Sequence, residues 1–188
     1  MAFNDILIKM ISKSSLIDLD PNYDNWKVKL VEPQCQDSVV EIRGLPEGSI
    51  IIKADDFPVP NRFFNNTKSE LKRADYIIVT QYNNQLYTLI IEMKRDKEGE
   101  SHVINQLRGG LCLFKYIKQI GKTFWDDPEF LKSNKFRFVS LSRTSISKRS
   151  SRPKATSLAD SYHDTPEKML KISGSTNLRF ENLIFKPS

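Results

Sequence analysis

At 188 residues, with 39% hydrophobic and 28% charged residues, the chain has the make-up of an ordinary globular protein and room for one core. No apolar run approaches the ~20 residues a helix needs to span a bilayer, so no membrane partner is expected. MAFNDILIKM lacks a basic start and a small-residue cleavage site, so the expectation is an intracellular, cytoplasmic protein with no leader, and its net charge of +6 needs a partner or a solvated surface.

Phe3, Ile6, Leu7, Met10 and Ile11 recur at helical spacing, which predicts an opening amphipathic helix that ends before Pro21. Trp26, Val28 and Leu30 alternate with Lys27 and Lys29, the pattern of a half-buried strand. Val39–Ile42 and Ser49–Lys53 are short apolar runs separated by the turn sequence GLPEG. Pro58–Lys68 reads as a loop. Ala74–Tyr82 and Gln85–Lys94 are rich in β-formers, and Asn83-Asn84 between them is suited to a tight hairpin turn. Beyond a charged loop, Ile104, Leu107, Leu111 and Phe114 mark a helix of about four turns. Gly109 and Gly110 weaken it by roughly 1 kcal/mol each against Ala, a cost that makes sense where the backbone must approach the sheet. Phe136–Ser142 alternates as a strand. Thr165-Pro166-Glu167 reads as a helix start, and Leu178–Phe185 as a final strand or extended segment.

The charge is concentrated near the C-terminus. Residues 1–134 carry 18 Lys and Arg against 19 Asp and Glu, while residues 135–188 carry 11 against 4. No acid lies between Glu129 and Asp160, an interval that holds Arg143, Lys148, Arg149, Arg152 and Lys154. Such a segment either grips a polyanion, nucleic acid first, or is a solvated serine-rich loop.

The order of elements predicts a single α/β domain over 1–188, with one mixed central sheet flanked by helices. Its core spans about 49–142, a basic loop 143–157, and a C-terminal helix and strand 165–185. Cys35 and Cys112 sit at no metal-binding spacing and read as reduced thiols, Cys112 near the buried face of its helix. His102 and His163 stand alone and read as surface or loop residues. Tyr76, Tyr82 and Tyr87 read as sheet packing.

The hairpin supplies the chemistry. With its turn at Asn83-Asn84, facing residues have numbers summing to 167, so Asp75 faces Glu92. Lys94 shares that face because strand side chains alternate, and Met93 points the other way. Opposed carboxylates repel, and either Lys94 or a divalent cation must offset them. Asp75, a hairpin-length gap and then Glu92-Met93-Lys94 at the end of an apolar strand resembles the PD-(D/E)xK nuclease superfamily, the restriction-endonuclease-like enzymes. The resemblance covers about Ser49 to Ser142. It implies an αβββαβ core, with Mg²⁺ (Mn²⁺ as an alternative) held by Asp75, Glu92 and the Met93 carbonyl. It implies that Lys94 assists the attacking water, with Gln106 on the following helix as a further catalytic candidate. Position 110 is Gly where one branch of the family has Tyr, and Ala74 stands where the motif has Pro.

The function expected is a Mg²⁺-dependent endonuclease acting on nucleic acid, DNA favoured over RNA. Lys72, Arg73, Arg143, Lys148, Arg149, Arg152 and Lys154 would contact the backbone, and a homodimer would suit cleavage of both strands. The competing reading is an inactive nuclease-like module for binding nucleic acid or protein. Glu70, also in an E-x-K triplet, reads as a solvated loop residue.

Overall fold

The computed structural model describes residues 2–32, 35–94, 99–142, 154–156 and 162–185. Helix α1 (Phe3–Met10) is followed by β1 (Leu16–Ile17), β2 (Asp20–Asn22), β3 (Asn25–Glu32), β4 (Cys35–Leu45) and β5 (Ile50–Lys53). Next come the hairpin β6 (Tyr76–Tyr82) and β7 (Gln85–Lys94), helix α2 (Glu100–Phe124) and β8 (Lys135–Ser142). Strands β9 (Lys154–Thr156), β10 (Leu170–Ser173) and β11 (Asn177–Arg179) and helix α3 (Phe180–Ile184) complete the described elements.

The chain forms an α/β domain, but the single sheet expected from sequence is two. A seven-stranded mixed sheet has the order β1-β5-β6-β7-β8-β10-β9, and a four-stranded sheet has the order β11-β4-β3-β2. Helices α1 and α2 cover one face of the large sheet, where Ile6, Leu7, Leu107 and Phe114 pack on Ile77, Val79 and Ile90. The other face carries the small sheet and α3, with Val28, Leu30 and Ile42 packed against Ile78, Leu89 and Ile91. The far face is therefore covered mainly by a second sheet, with only the short helix α3 beside it. The reason lies in β3 and β4, whose alternation makes one apolar face, and that face must be buried against something. Each fully buried Ile or Leu of this double core contributes about 1.5–3 kcal/mol.

The hairpin forms as its turn chemistry dictates. Asn83 and Asn84 have φ of 48° and 59°, the left-handed pair a two-residue turn requires. The register runs from Tyr82↔Gln85 to Tyr76↔Ile91, each pair summing to 167. Strands β5, β6 and β7 are antiparallel, and α2 then carries the chain to β8, parallel to β7.

Five local expectations change. Helix α2 has 25 residues rather than about four turns, because Ile117 and Gly121 continue the buried stripe. That stripe runs through Val103, Leu107, Gly110, Phe114 and Ile117, about one position off the sequence estimate, and it leaves Cys112 exposed rather than near the core. The helix start at Thr165 yields only a 3-10 turn, Pro166–Lys168, followed by β10. The predicted final strand splits into β11 and α3, since Phe180, Leu183 and Ile184 recur at helical spacing and bury together. Strand β9 also lies within what reads as a basic loop.

His163 is buried, not a surface residue. Its Nε2 lies 2.6 Å from the carbonyl of Leu183, and Arg137 Nε donates to the carbonyl of Ile184 at 2.6 Å. These two side chains satisfy carbonyls at the C-terminal end of α3 that the helix itself leaves open. Burial holds the imidazole below its usual pKa and so keeps it neutral. Tyr76 and Tyr87 are buried in the sheet as expected. Among the described residues, no helix is long and apolar enough to cross a membrane.

Candidate functional site

Asp75 lies one step beyond the last ladder pair, Tyr76↔Ile91, which puts it opposite Glu92 at the open end of the hairpin. Odd-numbered residues of β6 and even-numbered residues of β7 face the helices, as Ile77, Val79 and Ile90 show. Asp75 is odd beside β6, and Glu92 and Lys94 are even in β7, so the three share the α2 side, while Met93 is buried in the core between the two sheets. The Asp75 Oδ2 accepts a 2.6 Å hydrogen bond from the Met93 amide, which latches the two strand ends together. Lys94 Nζ lies 2.9 Å from Glu92 Oε1, with only 11% and 1% of the two side chains exposed. The ion pair is therefore drawn into the core rather than left on a rim.

Helix α2 closes this face. Because β7 and β8 are parallel, α2 runs back against β7. A Cβ at Gly110 would lie 2.7 Å from Ile90 Cγ2 and 2.8 Å from Ala74 Cβ, so only glycine allows this approach. One turn toward the helix N-terminus is Gln106, in the direction in which β7 continues from Ile90 to Glu92. The Gln106 Oε1 is buried and makes no hydrogen bond. A buried amide oxygen without a donor costs about 1–3 kcal/mol, so this acceptor is suited to a bound group that donates or to a cation.

The electrostatics favour a positive guest. Burial pushes the Asp75 carboxyl up to about 7, the Met93 amide acts against the shift, and the charges of Asp55 and Glu32 reinforce it. Asp55 is itself raised, by burial and by the neighbouring Asp56. Sequence reading missed Glu32 and Asp55, although signals existed. Glu32 shares the alternation of the buried Val28 and Leu30, and Asp55 follows directly on the apolar strand Ile50–Lys53. The Asp75 main-chain carbonyl accepts from the Ala54 amide at 2.8 Å, which brings the Asp55 turn to the site. Among the described residues, no group of three or more His, Cys, Asp or Glu side chains is arranged to hold a metal ion.

The raised carboxyl has a measurable consequence in metal-free protein. The folded state binds a proton on Asp75 between the ordinary carboxylate range near 4 and about 7, where the unfolded chain does not. This contribution to stability is present at low pH and is lost as the pH rises through about 7. In chelator, the urea midpoint of the wild type should therefore rise relative to Asp75→Asn as the pH falls from 8 to 5. Parallel profiles for the two proteins would contradict the assignment.

The basic candidates divide. Strand β8 pairs Ser142 with Lys94, β10 pairs Ser173 with Ser142, and β9 pairs Lys154 with Ser173. The acid-free segment thus leaves the sheet beside Lys94 and rejoins it two strands away, at the carboxyl ends of three parallel strands, where ligands of open α/β sheets commonly sit. Arg143, Lys148, Arg149 and Arg152 lie outside the described residues. Arg73 donates to the Phe57 carbonyl and ties the base of the loop before β6, and the Lys72 backbone packs on Gly109. Glu70 stays out of the site: its carboxylate accepts from the Thr67 and Lys68 amides at 2.9 and 2.6 Å.

Comparison with protein-family models, with curated proteins and with solved structures gave no match.

Proposed function

We propose that this chain is a metal-dependent nuclease of the PD-(D/E)xK type, hydrolysing phosphodiester bonds in DNA or RNA. The observation that carries the reading is the end of the β6–β7 hairpin. There a carboxylate raised by burial stands opposite a second, buried carboxylate that is paired to a lysine two residues on. The run β5, β6, β7, α2, β8, with three antiparallel strands and a parallel fourth, supports the βββαβ part of that core, with β1 to β4 standing between it and α1. The acid-free basic sequence continues from Ser142, which pairs with Lys94, and this supports a polyanionic substrate.

The donor set fits Mg²⁺ or Mn²⁺. Asp75 and Glu92 offer carboxylate oxygens, Met93 a main-chain carbonyl, and hard cations accept water for the remaining positions. When bound, the ion supplies charge neutralisation at the phosphate and a lowered pKa for water. The chain's own groups do the rest. Asp75 is anchored by the Met93 amide at the strand end that carries Glu92. Lys94, as an ammonium, orients the attacking water, and it can take that water's proton only after giving up one of its own. Gln106 offers an acceptor to that water or to the substrate.

One observation favours the second reading, an inactive binding module: the Lys94–Glu92 pair already balances one carboxylate. Incubation of circular and linear DNA and RNA with Mg²⁺ or Mn²⁺ separates the two. Cutting that chelator stops and Asp75→Ala abolishes is the expected result, with circles opened if the action is endonucleolytic. Equal activity in both proteins, or none in the wild type under any condition, removes the nuclease reading.

A further inference from the structure

The turn that follows β5, Ala54–Asp56, and the start of β6 are held together at the site by the Ala54 amide on the Asp75 carbonyl. The loop between them, residues 57–73, therefore has both stems at the acidic cluster. Arg73 closes the stem on the Phe57 carbonyl, and the Glu70 carboxylate is occupied by the Thr67 and Lys68 amides. The loop lies along α2, with Lys72 against Gly109 and the Phe57 ring 6.0 Å from that of Tyr116. Such ties make it a built projection rather than a slack connection.

At its tip the amides of Phe63 and Phe64 both reach the Pro60 carbonyl at 3.0 Å. This turn pushes the two rings outward. They meet edge to face at 4.9 Å, and 82% of Phe63 and 46% of Phe64 remain exposed. Phe63 buries little in the fold and Phe64 leaves nearly half of its surface open, so the adjacent pair is available to a partner. Around them the charge is positive: residues 57–73 contain Arg62, Lys68, Lys72 and Arg73 against Glu70 alone. The neighbouring helix has no acid after Glu100 but carries Arg108, Lys115, Lys118 and Lys122.

We propose that Phe63 and Phe64 form a stacking platform for unpaired bases, so that the substrate is single-stranded nucleic acid or a strand splayed from a duplex. Basic groups hold the backbone of such a strand while aromatic faces take its bases in turn. A closed duplex offers phosphates to the same lysines but no free base face to the rings. The proposal deepens the nuclease reading, and rests on it only for what happens to the strand after it is bound.

Binding in chelator tests it with the full chain. Fluorescently labelled 20-nucleotide single strands of DNA and of RNA are titrated beside the corresponding duplex, for wild type, Phe63→Ala/Phe64→Ala and Phe63→Trp/Phe64→Trp. The double alanine variant should lose about tenfold or more in affinity for a single strand, with duplex affinity little changed. The tryptophan pair should restore single-strand binding, and the arms with DNA and RNA decide which sugar is preferred. Equal losses on single strand and duplex, or no loss on either, overturn the proposal. So does binding to anionic lipid vesicles that the alanine pair abolishes while nucleic-acid binding stays intact. Aromatic-dependent binding without cleavage in Mg²⁺ or Mn²⁺ leaves the platform standing and removes the nuclease. Cleavage of single strands that is untouched by the alanine pair does the reverse.

Discussion

Lys94→Ala is expected to abolish cleavage and to destabilise the fold by about 3–5 kcal/mol. The two effects have different origins and can be separated. Glu92 is 1% exposed and Lys94 lies 2.9 Å from it, so loss of the ammonium leaves a buried carboxylate without its principal counter-charge. Glu92→Gln/Lys94→Met removes both charges while keeping the volumes close, and swaps of this kind are often neutral or stabilising. The double variant should therefore regain most of the urea midpoint lost by Lys94→Ala. It should regain none of the cleavage, since a positioned acid–base group contributes roughly 10²–10⁴ in rate. The comparison distinguishes a structural ion pair from a catalytic one. A double variant that cuts normally makes the pair structural, and a Lys94→Ala protein with an unchanged midpoint contradicts its burial.

The second large effect is expected at Gly109 and Gly110. In an isolated helix, alanine would be better than glycine by about 1 kcal/mol at each position. Here a Cβ at Gly109 would lie 1.7 Å from the Lys72 carbonyl oxygen and 2.5 Å from its carbon. Backbone held in that way cannot turn aside, so α2 must lift from the loop that leads into β6. Overpacking typically costs 1–3 kcal/mol and here meets main chain, so Gly109→Ala should cost about 3 kcal/mol or more, net of propensity. For a domain of this size that lowers Tm by about 6–12 °C. Gly110→Ala meets side-chain carbons at 2.7 and 2.8 Å and should cost less. Both should also slow cleavage well below Tm, because the helix that moves carries Gln106. Thermal melts with rates at 25 °C check this; a rise in Tm for Gly109→Ala would sink it.

Those glycines illustrate what is legible in one dimension. Two consecutive glycines inside an apolar helical stripe have an obvious cost and no local benefit, which announces a close approach without saying to what. The hairpin is still more legible. Asn83-Asn84 selects a two-residue turn, a two-residue turn admits one register, and that register brings Asp75 to Glu92. Every step depends on neighbours in the chain, so no distant contact can overrule it cheaply. The α3 turn was less legible, because LRFENLIF satisfies strand and helix spacing about equally over so few residues.

By itself, then, the amino-acid sequence determined the α/β class, the hairpin with its register, the face shared by Asp75, Glu92 and Lys94, and the opposite aim of Met93. These follow from turn chemistry and from the twofold alternation of strand side chains. Only the tertiary structure decided that a second sheet covers the far face, that Glu32 and Asp55 press their charge on Asp75, and that the Gln106 Oε1 is buried without a hydrogen bond. The physical reason is range. Local chemistry settles which way a side chain points, whereas burial and the summed field on a carboxyl depend on segments that meet only when the chain is folded.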